Sequence, residues 1–287
     1  MTKNGEQNWD LVITGRTSLF DLKFADVWNY RDLLVLFVRR DFVSFYKQTV
    51  LGPLWFFIQP VFTMLVYTFV FGNLANIPTD GLPKPLFYLC GITAWNYFAD
   101  CLTKTSTVFR DNANIFGKVY FPRLIMPLSI VVSNLARFGV QLILLIGMMG
   151  YYAVQGVHLH ISAALALFPF LVLLMAVLGL SCGLLITALT TKYRDLAFLV
   201  TFGVQLLMYA TTVIYPLSEA KEKYPAYAWI IELNPMTGII ETFRYAFLGE
   251  GSFTIPGLMY STVISLVLLF FSIIVFNRTE KNFVDTI

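Results

Sequence analysis

Long apolar runs constrain this chain more than any other feature. Runs of about 18 or more apolar residues match a hydrocarbon core roughly 30 Å thick at about 1.5 Å per helical residue. Six candidate spans are legible: Leu54–Phe71, Leu86–Phe109, Leu124–Val154, Ile161–Leu189, Leu196–Leu217 and Ile255–Phe276. The second is weakened by Asp100 and Lys104, and the third is too long for one perpendicular crossing, so its first turns are expected to be juxtamembrane. The whole chain is 57% hydrophobic and 13% charged, with a mean hydropathy of +0.71. Soluble domains carry roughly 25% charged residues, so an integral membrane protein is the expected class. The expected fold is all-α, with six transmembrane helices.

Positive charge orients the spans. Six crossings place the N-terminal segment, the Lys104–Arg123 loop, the Thr190–Asp195 loop and the C-terminal tail on one side, where 15 of the 20 Lys and Arg fall. Four (Lys84, Lys221, Lys223 and Arg244) fall on the other, and Arg137 lies within a span. Both termini are therefore expected in the cytoplasm. The net charge of +3 is too small to argue for nucleic acid. No charged-then-apolar signal stands near Met1, so the first span is expected to act as its own insertion signal.

Ahead of the spans, Asp26 to Val43 reads as a helix on the membrane surface. Val27, Tyr30, Leu34, Phe37 and Val38 form a stripe, Leu36 falls off it, and Trp28, Arg31, Arg39, Arg40 and Asp41 suit the headgroup layer. Residues 1–50 form a cytoplasmic segment with this helix, and 51–287 the transmembrane domain. Tyr215 to Thr254 resists a seventh crossing, because Glu232, Asn234-Pro235, Glu241 and Arg244 interrupt it. Two short helices broken at Asn234-Pro235, dipping in from the outer side, fit better. Broken backbone at that depth requires cover from protein or from a water-filled cavity.

The chemistry of the chain is defined partly by absence. There is no GxxxxGK[ST]; the Gly117-Lys118 pair is followed by Val119 and lacks a phosphate loop. Nucleotide hydrolysis is therefore not expected of this chain, and energy-driven work would need a partner. HExxH is absent. His158 and His160 are two apart in a short outer loop, open to a metal role but more simply read as interfacial residues. Cys90, Cys101 and Cys182 fall in apolar segments and read as small core residues.

Two inward loops stand out. Arg110–Arg123 mixes charge with Ile115, Phe116, Tyr120 and Phe121; Thr190–Asp195 is brief and polar. An exposed aromatic pair flanked by charge suits docking into a partner's groove, and an ordinary positive-inside loop has the same composition. Asp100 and Lys104, four apart, can pair on one helix face, while Arg137 can snorkel from the cytoplasmic third of its span. Gly179-x-x-x-Gly183 reads as close helix packing. Tyr67, Trp95, Tyr97, Tyr209, Tyr215 and Trp229 gather toward the outer half. They fit an interface belt, and they also fit a path on which sugar C–H faces stack.

These pieces resemble a known family. Trp28-x-Tyr30-Arg31-Asp32-Leu33-Leu34, Arg40-Asp41, Tyr46-Lys47, Leu51-Gly52-Pro53-Leu54-Trp55, Gln59-Pro60, Asn114–Pro122, Pro127-Leu128, Tyr193-Arg194-Asp195 and Asn234-Pro235-Met236-Thr237 occur in family order from about residue 26 to 280. Together they resemble the type-2 ABC exporter permeases of polysaccharides such as O-antigen, teichoic acid and capsule. The resemblance implies two copies of the chain with two copies of a separate ATP-binding cassette subunit, which would hold ATP and Mg; this chain would carry no cofactor. It makes Arg110, Asp111, Asn114, Phe116, Lys118, Tyr120, Phe121, Lys192, Tyr193, Arg194 and Asp195 coupling residues. It makes the 217–251 region an outer gate containing Trp229, Asn234 and Pro235, and the aromatics a path for lipid-linked polysaccharide. Export of teichoic acid or capsule, or of drugs or small lipids, is the alternative. A membrane enzyme or an ion-coupled flippase would need carboxylates that Glu232, Glu241 and Asp100 supply only weakly.

Overall fold

The computed structural model describes residues 24–47, 51–116, 121–193 and 195–283. Two helices, α1 (Phe24–Asn29) and α2 (Arg31–Lys47), precede the bundle. The first crossing is α3 (Trp55–Tyr67), which continues through a π-helical segment, Thr68–Leu74. Next come α4 (Lys84–Ser106), the short α5 (Val108–Asp111) and α6 (Ala113–Phe116), and then α7 (Ile125–Val154). A 3-10 turn leads into α8 (Phe168–Lys192), followed by α9 (Leu196–Tyr209). Three helices, α10 (Leu217–Lys223), α11 (Ala228–Glu232) and α12 (Pro235–Leu248), precede the last crossing, α13 (Ile255–Phe283).

Four stretches are long and apolar enough to cross a membrane: Trp55–Leu74, Ile125–Val154, Ala163–Lys192 and Ile255–Thr279. The 23-residue α4 and the 14-residue α9 stand at the other two expected crossings but fall outside that set: α4 carries Asp100 and Lys104, and α9 is about 21 Å long against a hydrocarbon core of roughly 30 Å. Side-chain pairs fix their directions. Arg137 meets Asp100 and Asn134 meets Lys104, so α7 runs antiparallel to α4. Thr187 reaches the Thr105 carbonyl at 2.7 Å, so α8 runs parallel to α4. Phe276 near the end of α13 stacks on Phe109, while Ser261 near its start bonds the Pro235 carbonyl. One end of the bundle, called here the loop end, thus carries α2, α5, α6, the turn after α8 and the end of α13. The opposite, hairpin end carries α10–α12.

Helix α4 is the centre of the molecule. From Leu86 to Trp95 every residue is buried, against α7, α8, α9, α12 and α3. The glycine pair of α8 makes this possible. A Cβ at Gly179 would stand 2.8 Å from the Cys101 Cβ, and one at Gly183 would stand 2.6 Å from the Thr105 Cβ. Any side chain there would force the two helices apart, as the spacing predicts. Asp100 and Lys104 lower the hydropathy of α4, but protein covers them. All three cysteines are free, Cys90 and Cys101 buried and Cys182 partly so.

Three expectations require correction. The surface helix is two helices meeting at Tyr30, and it continues past Val43 to Lys47; its stripe does face the bundle, with Phe37 buried and Leu36 exposed. Helix α7 is one continuous 30-residue helix, about 45 Å long, which exceeds one perpendicular crossing and leaves room for the expected juxtamembrane turns. Arg137 does not snorkel. It donates to Asp100 at 2.8 Å and to the Gln59 side chain at 2.7 Å, over the Phe56 ring, while Lys104 donates to Asn134 at 2.6 Å. Finally, the fifth crossing stops at Tyr209, short of Leu217. The next residues, Thr211 to Ile214, are buried but not helical. Part of their polar complement is met from elsewhere: Arg244 donates to the Thr212 carbonyl at 2.7 Å and Asn234 to the Thr211 hydroxyl at 2.7 Å, while the Thr212 hydroxyl is buried without a partner among the described residues. Gly91 of α4 lets this backbone in, since a Cβ there would stand 3.0 Å from the Val213 oxygen. Unwound chain is thus covered by protein.

Candidate functional site

At the loop end, α4 stops at Ser106 and the chain turns through α5 and α6. Thr107 donates to the Asp111 carboxylate at 2.6 Å, Arg110 bonds the same carboxylate at 2.8 Å, and the Asn112 amide donates to the Val108 carbonyl. The end of α8 is tied to this turn, because Thr187 donates to the carbonyl of Thr105 and Thr190 to that of Ser106. The two loops singled out in the sequence therefore stand side by side and are joined by hydrogen bonds between their helix ends.

The aromatics of the first loop turn inward, which corrects the docking picture drawn from sequence. Phe121 is buried, its ring 5.5 Å from Phe116 and 5.6 Å from Phe37 of α2. Phe116 lies 5.3 Å from Phe109, which stacks at 5.1 Å on Phe276. This row of rings links α2, the loop and α13, because apolar rings gain more from the helix ends than from water. What stays exposed is polar: Arg110, Asp111, Asn114, Lys192 and Asp195, with Tyr193 half-exposed beneath the Lys192 ammonium. Lys118, Tyr120 and Arg194 lie outside the described residues.

The surface helices face the same end. Trp28 is exposed with the Arg31 guanidinium over its ring, Tyr30 is half-buried and Arg39 is exposed. Arg40 differs from the headgroup-facing role read in the sequence. It pairs with Asp41 at 2.8 Å, covers the Phe37 ring and reaches Asn112 of the loop at 3.5 Å.

At the hairpin end, Asn234 caps α12. Its side chain accepts from the Met236 N–H at 3.0 Å, and Pro235 takes the first helical position, where no amide donor is needed. Gly249 ends the helix with φ +78°, and a Cβ there would collide with the His160 carbonyl. The loop holding His158 and His160 thus docks on α12 through backbone. Both imidazoles are exposed, and among the described residues no group of three His, Cys, Asp or Glu could hold a metal.

The outer aromatics separate into two sets. Trp95 and Tyr97 are core residues, 3% and 2% exposed; Trp95 packs 5.3 Å from Phe98 and Tyr97 5.1 Å from Phe138. They line no open path in this protomer, since α4 is enclosed along their whole length. Tyr209 and Trp229 are exposed, Tyr215 is half-buried, and Tyr67 meets Tyr88 edge-on while its hydroxyl lies 3.5 Å from the Met208 sulfur.

One constellation was read in the sequence only as an interruption. Glu241 and Arg244 are 1% and 0% exposed and pair at 2.7 Å. Arg244 also donates to Thr212 and stands 3.9 Å from the centre of the Phe87 ring, while the other Glu241 oxygen accepts from the Ser252 N–H at 2.9 Å. The signal was present: opposite charges three apart on an otherwise apolar helix. Helix α12, the unwound Thr211–Ile214 segment, α4 and the turn before α13 are all held by this one pair.

Known proteins place this architecture. The model of the ABC-2 type transporter family matches residues 32–248. The chain is 29% identical over 264 residues to an O-antigen export system permease protein, RfbA, of Myxococcus xanthus, covering 91% of this chain and 98% of that one. It is 26% identical over 255 residues to RfbA of Klebsiella pneumoniae, with 88% and 94% covered. A third relative, the inner membrane transport permease YadH of Escherichia coli (strain K12), is 26% identical over 203 residues, covering 67% and 75%. With the family model spanning most of the bundle from α2 to the end of α12, this chain belongs to the ABC-2 type transporter family.

Proposed function

We propose that this chain is the permease subunit of an ATP-driven exporter that moves a lipid-linked, O-antigen-type polysaccharide across the cytoplasmic membrane. The observation carrying the reading is that relatives named as O-antigen export permeases align with 88% and more of the chain, including both inward loops and the broken hairpin. Two copies of the chain would work with two copies of a separate ATP-binding cassette subunit, the bearer of ATP and Mg, since no phosphate loop stands in this sequence. The loop end would face the cytoplasm, in keeping with the 15 Lys and Arg on that side, and the hairpin end would face outward.

On this reading the ATPase grips the exposed patch of Arg110, Asp111, Asn114, Lys192, Tyr193 and Asp195. Lys118, Tyr120 and Arg194 join that patch by position in the sequence. Closure of the ATPase pair would press on α5 and on the end of α8 together, since Thr187 and Thr190 bind them to α4. Helix α4 would then carry the displacement to the hairpin end, where Phe87 underlies Arg244. Phe116 and Phe121 would act by holding the loop's shape, and Tyr209, Tyr215 and Trp229 would line the outer part of the path.

Deletion of the gene tests the function. Lipid-linked glycan is expected to accumulate on the cytoplasmic face while surface glycan is lost. A deletion strain with normal surface glycan would overturn the proposal.

A further inference from the structure

At the hairpin end a cleft of about 420 Å³ opens between α11, α12 and the start of α13. That is within the size range of small-ligand sites, roughly 300–1,000 Å³. One wall is the exposed indole of Trp229. The floor is the crossing of α12 and α13, drawn close by two glycines: a Cβ at Gly238 would stand 3.1 Å from the Gly257 oxygen. Around these apolar surfaces stand Glu232, Thr237, Thr254 and Tyr260.

Most of these polar groups already have partners. Tyr260 donates to the Leu233 carbonyl at 2.9 Å, the Thr254 hydroxyl accepts from the Gly257 N–H, and Glu232 pairs with Lys221 at 2.6 Å. Thr237 does not. The residue lines the cleft and is 1% exposed, and its buried hydroxyl has no hydrogen-bond partner among the described residues. A buried hydroxyl left unpaired is costly, so its presence in a ligand-sized cleft points to something that completes it. It sits one residue past Met236 in the first turn of α12, placed there by the Asn234 cap.

We infer that this cleft is a binding subsite for one neutral sugar unit, stacked on Trp229 and hydrogen-bonded by Thr237 and Glu232. The inference rests on the export reading above and gives it a site on this chain. An indole offers an apolar face to the C–H face of a pyranose, while a hydroxyl and a carboxylate edge serve its O–H groups. Glu232 uses one oxygen on Lys221 and keeps acceptor capacity for a sugar hydroxyl. Both charged groups lining the cleft, Glu232 and Glu241, are carboxylates. Lys221 and Arg244 neutralise them, yet Glu232 offers the cleft acceptor oxygens only, which serve a sugar hydroxyl and give a uronate or a phosphate no donor, so neutral hexoses are favoured.

The test uses the full-length permease in nanodiscs, titrated with methyl glucoside and methyl galactoside while tryptophan fluorescence is read. A saturable change is expected, abolished in Trp229→Leu and retained in Trp95→Phe. Thr237→Val removes the hydroxyl but keeps the shape, and loss of one hydrogen bond should weaken binding about tenfold. The same variant should melt no lower than the wild type, because an unpaired buried hydroxyl has been removed. That combination separates a ligand role from a structural one. Glucuronate and glycerol 3-phosphate, the latter standing for a lipid headgroup, should bind more weakly than the neutral glycosides. The proposal fails if no saturation is seen, if Thr237→Val binds like the wild type, or if glycerol 3-phosphate binds best. If those results occur while the deletion strain still loses surface glycan, the cleft is discarded and the export function stands.

Discussion

The two ends of the bundle use charge in opposite ways. At the hairpin end the ion pair Glu241–Arg244 is sealed from solvent, and each partner holds a piece of backbone as well, Ser252 by Glu241 and Thr212 by Arg244. At the loop end Arg110 and Asp111 pair at the same kind of distance, 2.8 Å, but are 39% and 50% exposed. Burial decides what each pair can do. A sealed pair left half-complete costs several kcal/mol, whereas an exposed pair contributes between about 0 and 1 kcal/mol and stays available to another protein. Helix α12 is therefore fastened by its buried charges, whereas the loop end, like the Lys221–Glu232 pair on the outside of the hairpin, displays them.

The largest expected effect follows from breaking the sealed pair. Arg244→Met should destabilise the permease by about 3–5 kcal/mol, because Glu241 is left buried without its counter-charge and Thr212 without its donor. Thermal unfolding of the purified protein in detergent checks it, with loss of monodisperse protein as the extreme. The double variant Glu241→Gln, Arg244→Met should recover part of that loss. If the double variant is as damaged as the single one, the hydrogen bonds to Thr212 and Ser252 matter more than the charges do.

Next in size is the α4–α8 seam that connects the ends. Gly183→Ala would put a Cβ against Thr105 at 2.6 Å, and overpacking of this kind costs about 1–3 kcal/mol. Unfolding measurements give the cost. The companion variant Thr105→Ser, Gly183→Ala should regain only part of that loss, since it removes the Cγ2 that stands 2.8 Å away and keeps the Cβ at 2.6 Å. No difference between single and double variants would mean that the helices separate freely, and then α4 is a poor carrier of motion between the ends.

How far this contrast could be read from the sequence depends on what kind of signal each part leaves. The long apolar runs of α3, α7, α8 and α13 are visible because lipid-facing residues must be apolar on every exposed position. Helix α4 leaves a weaker run, yet it is the most enclosed, since its neighbours are protein and Asp100 finds Arg137 there. The Asn234-Pro235 break and the glycine pair of α8 are legible because their backbone chemistry is local. The early end of α9 was not legible: it depends on Arg244 and Asn234 reaching back across 32 and 23 residues. For the same reason the inward turn of Phe116 and Phe121 was missed. An aromatic in a loop reads as exposed until the helix that covers it, here α2, is in place.

An intermediate case sharpens the comparison. Asp100–Arg137 lies toward the loop end but is only 23% and 17% exposed, with Arg137 also on Gln59 and over Phe56. Arg137→Gln should cost about 1.5–3 kcal/mol, the range for a hydrogen bond to a charged group, and so fall between the sealed and the displayed pairs. Denaturation of the same preparations places it. A cost as large as that of Arg244→Met would mean that depth in the bundle, and not solvent access, sets the scale.

The smallest effect on stability belongs to Arg110→Glu. The side chain is exposed and its partner Asp111 is half-exposed, so reversal should change stability by no more than about 0.5 kcal/mol. Asp111 keeps Thr107 as a donor at 2.6 Å, which holds the turn even without the arginine. Coupling is a different matter. If this patch is where an ATPase grips, the reversed charge meets a surface selected for a cation, and like-charge contact at an interface costs several kcal/mol. ATPase activity of the assembled complex should then lose its response to substrate, and surface glycan should disappear, from a permease that is folded and inserted normally. An Arg110→Glu variant that exports normally would remove the displayed charge from the coupling mechanism. The burden would then pass to Lys192 and Asp195 beside it, where the same reversal can be repeated.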